Sequence, residues 1–204
     1  FPGVKGLVIA TRPDCLDGEK LDLLAELAQN HYIMLEIGIE SHLDRTLDRI
    51  NRCHRYADSV KALQEASRRS LHTTAHLILG LPGETRGDWM EQAVEISSLP
   101  VENIKLHQFQ IHRGTAESEI YRAHPGSYDL FTADGYAATV VDWLERLNPA
   151  FTVERFTSQA PPDLLVAPAW GIKNHEFTAR VTSLLKERDS WQGKLYPPEK
   201  TAPE

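Results

Sequence analysis

Four strand signals, beginning near Gly6, Ile33, Thr73 and Ile104, recur at roughly 30-residue intervals, each followed by a helical pattern. This rhythm constrains the fold more than any other feature. Antiparallel neighbours need only a short turn between them, whereas parallel neighbours need a crossover long enough to hold a helix. A chain that alternates strand and helix at this spacing is therefore an α/β chain with a parallel sheet.

The helical segments carry their own signals. Leu21, Leu24, Leu27 and Ala28 fall at helical spacing behind the first strand. Ser41-x-x-Asp44 and Thr85-x-x-Asp88 read as capping boxes with a short acid in place of Glu. Behind the second box, Trp89, Ala93 and Ile96 form one apolar stripe. A further helix over residues 134–147 lines up Tyr136, Val140, Trp143, Leu144 and Leu147. These stripes read as core. After Thr115 the rhythm changes, with Pro125-Gly126, Pro149, Pro161-Pro162, Pro168 and a Pro-rich tail from Pro197-Pro198 to Glu204. A strand at 151–157 and a helix at 175–188 are expected there. The organisation predicted is a regular half-barrel over residues 1–115 and an irregular α/β extension over 116–204.

Composition narrows the class. At 204 residues, 41% hydrophobic and 25% charged, the chain is of ordinary globular make-up, which excludes disordered and fibrous classes. No apolar run approaches the ~20 residues that a membrane helix requires. A net charge of −7 argues against a generic nucleic-acid surface but leaves an RNA substrate open. Cys15 and Cys53 make neither a disulfide framework nor a zinc set, so a reducing, cytoplasmic setting is expected. The chain opens Phe1-Pro2-Gly3-Val4 without Met and reaches a core-type strand by Gly6-Leu7-Val8-Ile9-Ala10, which reads as a fragment of something longer.

The strand faces point to a site. In Met34-Leu35-Glu36-Ile37-Gly38-Ile39-Glu40, Leu35, Ile37 and Ile39 share one face while Glu36, Gly38 and Glu40 share the other. A parallel strand is normally apolar on both faces. Burying an unpaired carboxylate costs several kcal/mol, so this face must line a wet or ligand-filled cavity or meet cations. Thr74, His76, Ile78 and Gly80 share a face of the third strand, and Lys105 and His107 a face of the fourth. Glu, His and Lys are thereby expected in one interior, either as a ligand site or as a structural ion-pair network. Polar residues also gather at the strand C-termini, where α/β folds place their chemistry. They are Thr11-Arg12-Pro13-Asp14, Glu40-Ser41, and Gly80-Leu81-Pro82-Gly83-Glu84-Thr85. The last is a glycine-rich turn into a helix, suited to close ligand approach or simply to a tight turn.

Other chemistries find no support. His72 and His76 are four apart on a strand, ~13 Å at ~3.3 Å per residue, too far to share one ion. There is no Gly-x-Ser-x-Gly elbow, no Walker loop and no Gly-x-Gly-x-x-Gly. Cys15 and Cys53 read as small buried hydrophobes, and His31 and His54 as loop or helix-start residues.

Taken in order, Thr11-Arg12-Pro13-Asp14, Glu36-Ile37-Gly38-Ile39-Glu40-Ser41, Asn51-Arg52, His76 through Thr85, Lys105-Leu106-His107, Arg155-Phe156-Thr157 and Ser190-Trp191-Gln192-Gly193-Lys194 resemble the second half of a radical S-adenosylmethionine (radical SAM) enzyme core. The nearest likeness is to the YhcC-like bacterial group. The resemblance implies the C-terminal part of a partial (β/α)6, TIM-like barrel of an iron-sulfur oxidoreductase. In such enzymes an electron from a 4Fe-4S cluster cleaves S-adenosylmethionine, and a 5′-deoxyadenosyl radical takes hydrogen from substrate. It further implies an electron donor such as flavodoxin or ferredoxin, with the substrate itself unspecified.

Carried over by position, Glu40 stands where a Gln or Glu bonds the cosubstrate, with Glu36, Ser41 and His107 around it. Arg52 stands where a guanidinium meets the methionine carboxylate, and His76 where a polar residue meets ribose. Ile78 and Gly80 stand against adenine, and backbone near Leu81 along its edge. Ala10 occupies a position where relatives often carry an acid. The family's Cys-x3-Cys-x2-Cys loop is absent, so no cluster is expected on this chain, and the loop is expected upstream. Two alternatives stay open: a non-catalytic βα scaffold or interaction module, and an α/β-barrel hydrolase using Glu36 or Glu40 as general base.

Overall fold

A computed structural model describes residues 3–196, so the opening Phe1-Pro2 and the tail from Pro197 lie outside the described residues. Each expected strand forms, and each of the first three leads into helix. β1 (Gly6–Thr11) leads to α1 (Gly18–Ala28), and β2 (Tyr32–Glu40) to α2 (Asp44–Arg49) and α3 (Tyr56–Arg68). β3 (His72–Leu79) leads to α4 (Arg86–Ser97), and β4 (Asn103–Gln108) follows. The chain continues through β5 (Ile111–His112), α5 (Ala116–Ala123), α6 (Ala133–Leu144), β6 (Thr152–Arg155), β7 (Leu165–Ala167) and α7 (Asn174–Glu187). Five strands make one parallel sheet in the order β1-β2-β3-β4-β6, while β5 and β7 form a small antiparallel ribbon. Thus β6, from the Pro-interrupted half of the chain, completes the same sheet.

The sheet has one apolar and one polar face. Leu35, Ile37 and Ile39 are fully buried together with Ala75, Leu77 and Leu79 of β3 and Ile104 and Leu106 of β4. Leu63 and Ala66 of α3, Ala93 and Ile96 of α4, and Val140, Trp143 and Leu144 of α6 complete this core. The alternation of β2 therefore sorts its side chains as expected. Trp170 of the loop before α7 and Phe177 of α7 dock on Tyr136, with ring centroids 5.4 Å apart in each case.

Three local expectations are corrected. β1 is an edge strand, not a buried one, with Leu7 46% and Val8 57% exposed. Leu27 of α1 is likewise exposed, so only Leu21 of that stripe is fully buried. Ser41 and Asp44 form no capping box. Helix α2 begins at Asp44 with Leu43 as its cap, the Ser41 hydroxyl serves Glu84, and Asp44 accepts from the backbone N–H of Tyr56 instead. The Thr85–Asp88 box is present in both directions.

Because Leu77 is fully buried and Leu7 is not, truncation at the two sites separates core from edge. Leu77→Ala should cost ~2–5 kcal/mol of unfolding free energy in urea titration, and Leu7→Ala less than about 0.5 kcal/mol.

Candidate functional site

The polar face comes to a focus at the end of β2. The register between β2 and β3 slips there, with Gly38 opposite His76 but Glu40 opposite Leu77. Such a bulge re-aims a side chain. Glu40 takes a left-handed conformation at φ 66°, rare for a residue with a Cβ, and its carbonyl accepts from Gln92 Nε2 at 3.4 Å. Its carboxylate folds back over Gly38. Any Cβ on Gly38 would lie 2.3 Å from Arg52 Nη2 and 2.7 Å from Glu40 Oε1, so only glycine leaves room for this pair.

Arg52 arrives from the turn after α2, where Asn51 and Cys53 on either side of it also have positive φ. Its Nη2 donates to Glu40 Oε1 at 2.8 Å and to the Gly38 carbonyl at 3.2 Å. Its Nε is buried and has no partner. Glu40 has a second partner in His76, whose Nδ1 lies 2.6 Å from Glu40 Oε2. The other ring nitrogen, His76 Nε2, lies 2.8 Å from His107 Nδ1, with the two rings nearly perpendicular at 84°. Burial pushes the His107 imidazole down to about 2, helped by His76, Arg155 and Lys105.

Deeper along the strands, Lys105 pairs with Glu36 and, at 3.2 Å, with Glu154, which also accepts from the Thr74 hydroxyl at 2.7 Å. A cavity of about 240 Å³ spans both layers and is lined by Glu36, Gly38, Glu40, Arg52, His76 and Arg155, among others. Among the described residues Arg155 makes no ion pair, and its Nε is buried without a partner. A register slip between β4 and β6 turns it to this face.

A second cavity, about 440 Å³, is lined by His107, Ile78, Leu81, Phe109 and Gln110, among others, and His107 is hydrogen-bonded to His76 of the first. Gln108 closes its floor by donating to the Ser158 carbonyl and accepting the Ser158 N–H. The sequence-predicted residues thus divide. Glu40, Arg52, His76 and His107 form one hydrogen-bonded chain, and Glu36 belongs to the deeper ion-pair layer. Ile78 and Leu81 line the second cavity. Gly80, at φ 86°, sits against Phe131, whose ring carbon would lie 2.8 Å from an added Cβ.

Ser41 is fully buried. Its hydroxyl donates to Glu84 at 2.5 Å, and Glu84 also accepts from Trp89 Nε1 at 3.0 Å. Burial pushes the Glu84 carboxyl up. This brace ties the turn after β2 to the glycine-rich turn after β3. Cys15 and Cys53 are exposed rather than buried, and no group of three or more metal ligands occurs among the described residues. Sequence reasoning missed Arg155, Glu154, Gln92 and the Glu84 brace. The Arg155-Phe156-Thr157 stretch was visible, but its direction depends on the slip in register.

Residues 1–93 match the model described as the Radical SAM superfamily, and residues 101–187 the Radical_SAM C-terminal domain. The uncharacterized protein MJ0486 of Methanocaldococcus jannaschii is 36% identical over 195 residues, covering 95% of this chain and 60% of that protein. The uncharacterized protein YtqA of Bacillus subtilis is 34% identical over 193 residues, covering 95% and 59%. Protein YhcC of Escherichia coli is 33% identical over 168 residues, covering 82% and 54%. The chain therefore spans between 54% and 60% of these relatives' length. Elp3 of the archaeon Methanocaldococcus infernus shares the fold, with a TM-score of 0.79 at 18% identity over 92% of this chain and 43% of that one. The chain belongs to the radical SAM superfamily.

The depressed His107 pKa has a consequence for stability. The unfolded chain takes up a proton near pH 6.5 that folded His107 refuses down to about pH 2. Between these values the unfolded state binds more protons, so stability falls as pH falls below 6.5, by at most about 1.4 kcal/mol per pH unit for one such group. Part-buried His42 acts in the same sense. Urea unfolding at pH 7.5, 6 and 5 should show this slope, and His107→Gln should reduce it.

Proposed function

We propose that this radical SAM chain supplies the S-adenosylmethionine-binding half of a longer enzyme that starts radical chemistry by reductive cleavage of that cosubstrate. The observation that carries the proposal is the convergence of Glu40, Arg52 and His76 over Gly38 at the C-terminal end of a parallel sheet, beside a cavity with apolar walls. In this proposal residues 1–115 supply the cosubstrate side, and 116–204 the substrate side, in a cytoplasmic protein.

The residues present fit S-adenosylmethionine. Arg52 keeps a buried, unpartnered Nε on the lining of the first cavity, a donor left for a carboxylate. Glu40 offers its carboxylate to the ammonium of the methionyl group while keeping Arg52 in place. Ile78 and Leu81 supply an apolar wall for adenine. Both ring nitrogens of His76 already have protein partners, so a ribose contact there competes with His107. S-adenosylmethionine, once reduced, supplies a carbon radical able to remove hydrogen from substrate.

The residues present do not fit a 4Fe-4S cluster. Two exposed cysteines fall short of the thiolate set that such a cluster takes. We place the cluster, and docking of a flavodoxin- or ferredoxin-like donor, on the remainder of the longer protein. In the deeper layer Glu36 already has a partner in Lys105, which also pairs with Glu154, and this favours a structural role for Glu36.

Two measurements test this. Anaerobic reconstitution of the longer protein should yield 5′-deoxyadenosine from S-adenosylmethionine after reduction. The same treatment of this chain alone should yield no stoichiometric cluster, and about four irons per chain would overturn the assignment. In the longer protein Arg52→Lys keeps a charge opposite Glu40 but loses the fork. Cosubstrate affinity by equilibrium dialysis should fall by roughly 1.5–3 kcal/mol, the worth of a charged hydrogen bond, with little change in cosubstrate-free Tm. Unchanged affinity with a lowered Tm would make Arg52 structural.

A further inference from the structure

We propose that Glu40, His76 and His107 form a proton relay whose open end, His107 Nε2, accepts a proton from an O–H or N–H group of a substrate in the cavity lined by Ile78, Leu81 and Gln110. The inference rests on the reading above that this cavity lies beside the cosubstrate. It adds a proton-transfer function to residues treated so far as contacts.

Geometry carries it. The hydrogen bonds run in one line from the Glu40 carboxylate through His76 to His107, at 2.6 Å and 2.8 Å. A carboxylate can only accept, so His76 donates from Nδ1 and its neutral form presents a bare Nε2. His107 must then donate from Nδ1, which leaves its Nε2 bare. That atom is buried and without a partner, on a ring that lines the second cavity. Gln110, whose Oε1 is also buried and unpartnered, lines both this cavity and the neighbouring one around Trp170. Buried acceptors left unfilled beside a cavity call for a ligand that donates.

The charges fix the direction of transfer. Lys105 on the same strand, Arg155 on β6 and His76 on β3 all disfavour a positive His107, and the Arg49 and Glu117 that face the cavity from the other side lie within 3.9 Å of each other. His76, by contrast, abuts the Glu40 carboxylate. When the substrate group gives its proton to His107 Nε2, the Nδ1 proton of His107 passes to His76 Nε2. His76 then holds protons on both nitrogens as a cation beside Glu40, and the substrate is left as its conjugate base. One proton enters and none is lost, and the reverse path returns it. His107 is the catalytic residue in this scheme, while His76 and Glu40 are positioning residues.

Nitrogen-15 NMR of histidine-labelled protein reads ring tautomers directly, before any turnover. The peaks of His107 are assigned by their loss in His107→Gln and, independently, in His107→Phe. The expected result is a neutral His107 from pH 8 to pH 5, protonated at Nδ1 and bare at Nε2. His76→Phe and Glu40→Gln should each abolish that single tautomer in favour of a mixture. A His107 with its proton on Nε2, or charged at pH 6, overturns the relay. So does a tautomer indifferent to both variants.

Addition of S-adenosylmethionine, with its binding followed by equilibrium dialysis, separates the two sources of donor. An Nε2 resonance that stays bare leaves the acceptor to the substrate. One that becomes hydrogen-bonded assigns it to the cosubstrate's own hydroxyls and overturns the proposal. Absence of binding refutes the cosubstrate reading, while the tautomer measurement still decides the relay.

Discussion

A carboxylate on the inner face of a parallel sheet has to be compensated where it stands, and the upper half of this molecule is organised around compensating Glu40. Its backbone is held left-handed by a bulge, and its carbonyl is taken by Gln92 from α4. Arg52 meets one carboxylate oxygen and His76 the other. Each partner is drawn in from a different element, so the turn after α2 and the middle of β3 meet at the Glu40 carboxylate, while the middle of α4 meets its backbone carbonyl. Removing either partner leaves a buried charge part-paired, which is the costly outcome for such groups.

The two layers of the polar face differ in a way that decides their roles. In the deeper layer Lys105 is shared between two carboxylates and Thr74 adds a hydroxyl, so each charged group has a partner. In the upper layer the arithmetic is left open toward the cavity. Arg52 Nε, Arg155 Nε and His107 Nε2 are buried and unpartnered. Buried polar atoms without partners are uncommon in folded proteins and each asks for a reason. Clustered at the strand C-termini, they are the groups to which the proposed ligand would supply partners. The closed layer beneath gives them a rigid base, which is what a preorganised site requires.

Residues 116–204 contribute more than an appendage to this arrangement. β6 closes the sheet beside β4 and delivers Glu154 to the closed layer and Arg155 to the open one. Ser158 locks Gln108 across the end of β4. The irregular half of the chain thereby shapes the cavity that the regular half only begins. It is also where loops are free to vary without disturbing the strands that carry Glu40, His76 and His107.

Much of this was legible in the sequence because it is local. Strand–helix alternation, the two-residue period that separates Leu35, Ile37 and Ile39 from Glu36, Gly38 and Glu40, and the Thr85–Asp88 cap all follow from spacing along a few neighbouring residues. What the tertiary structure alone decided is which polar groups meet. His76 reaches Glu40 across 36 residues of sequence and His107 across 31, and both meetings depend on strand register. The slips at Gly38/Glu40 and at Ile104/Lys105 carry no sequence signature, yet they aim Glu40 and Arg155. Ser41 looked like a cap but is spent on Glu84, because a hydroxyl takes the nearest strong acceptor that packing supplies. The periodicity of the chain determined that a polar face exists. Register between distant strands decided which of its atoms are satisfied, and so where a ligand has reason to bind.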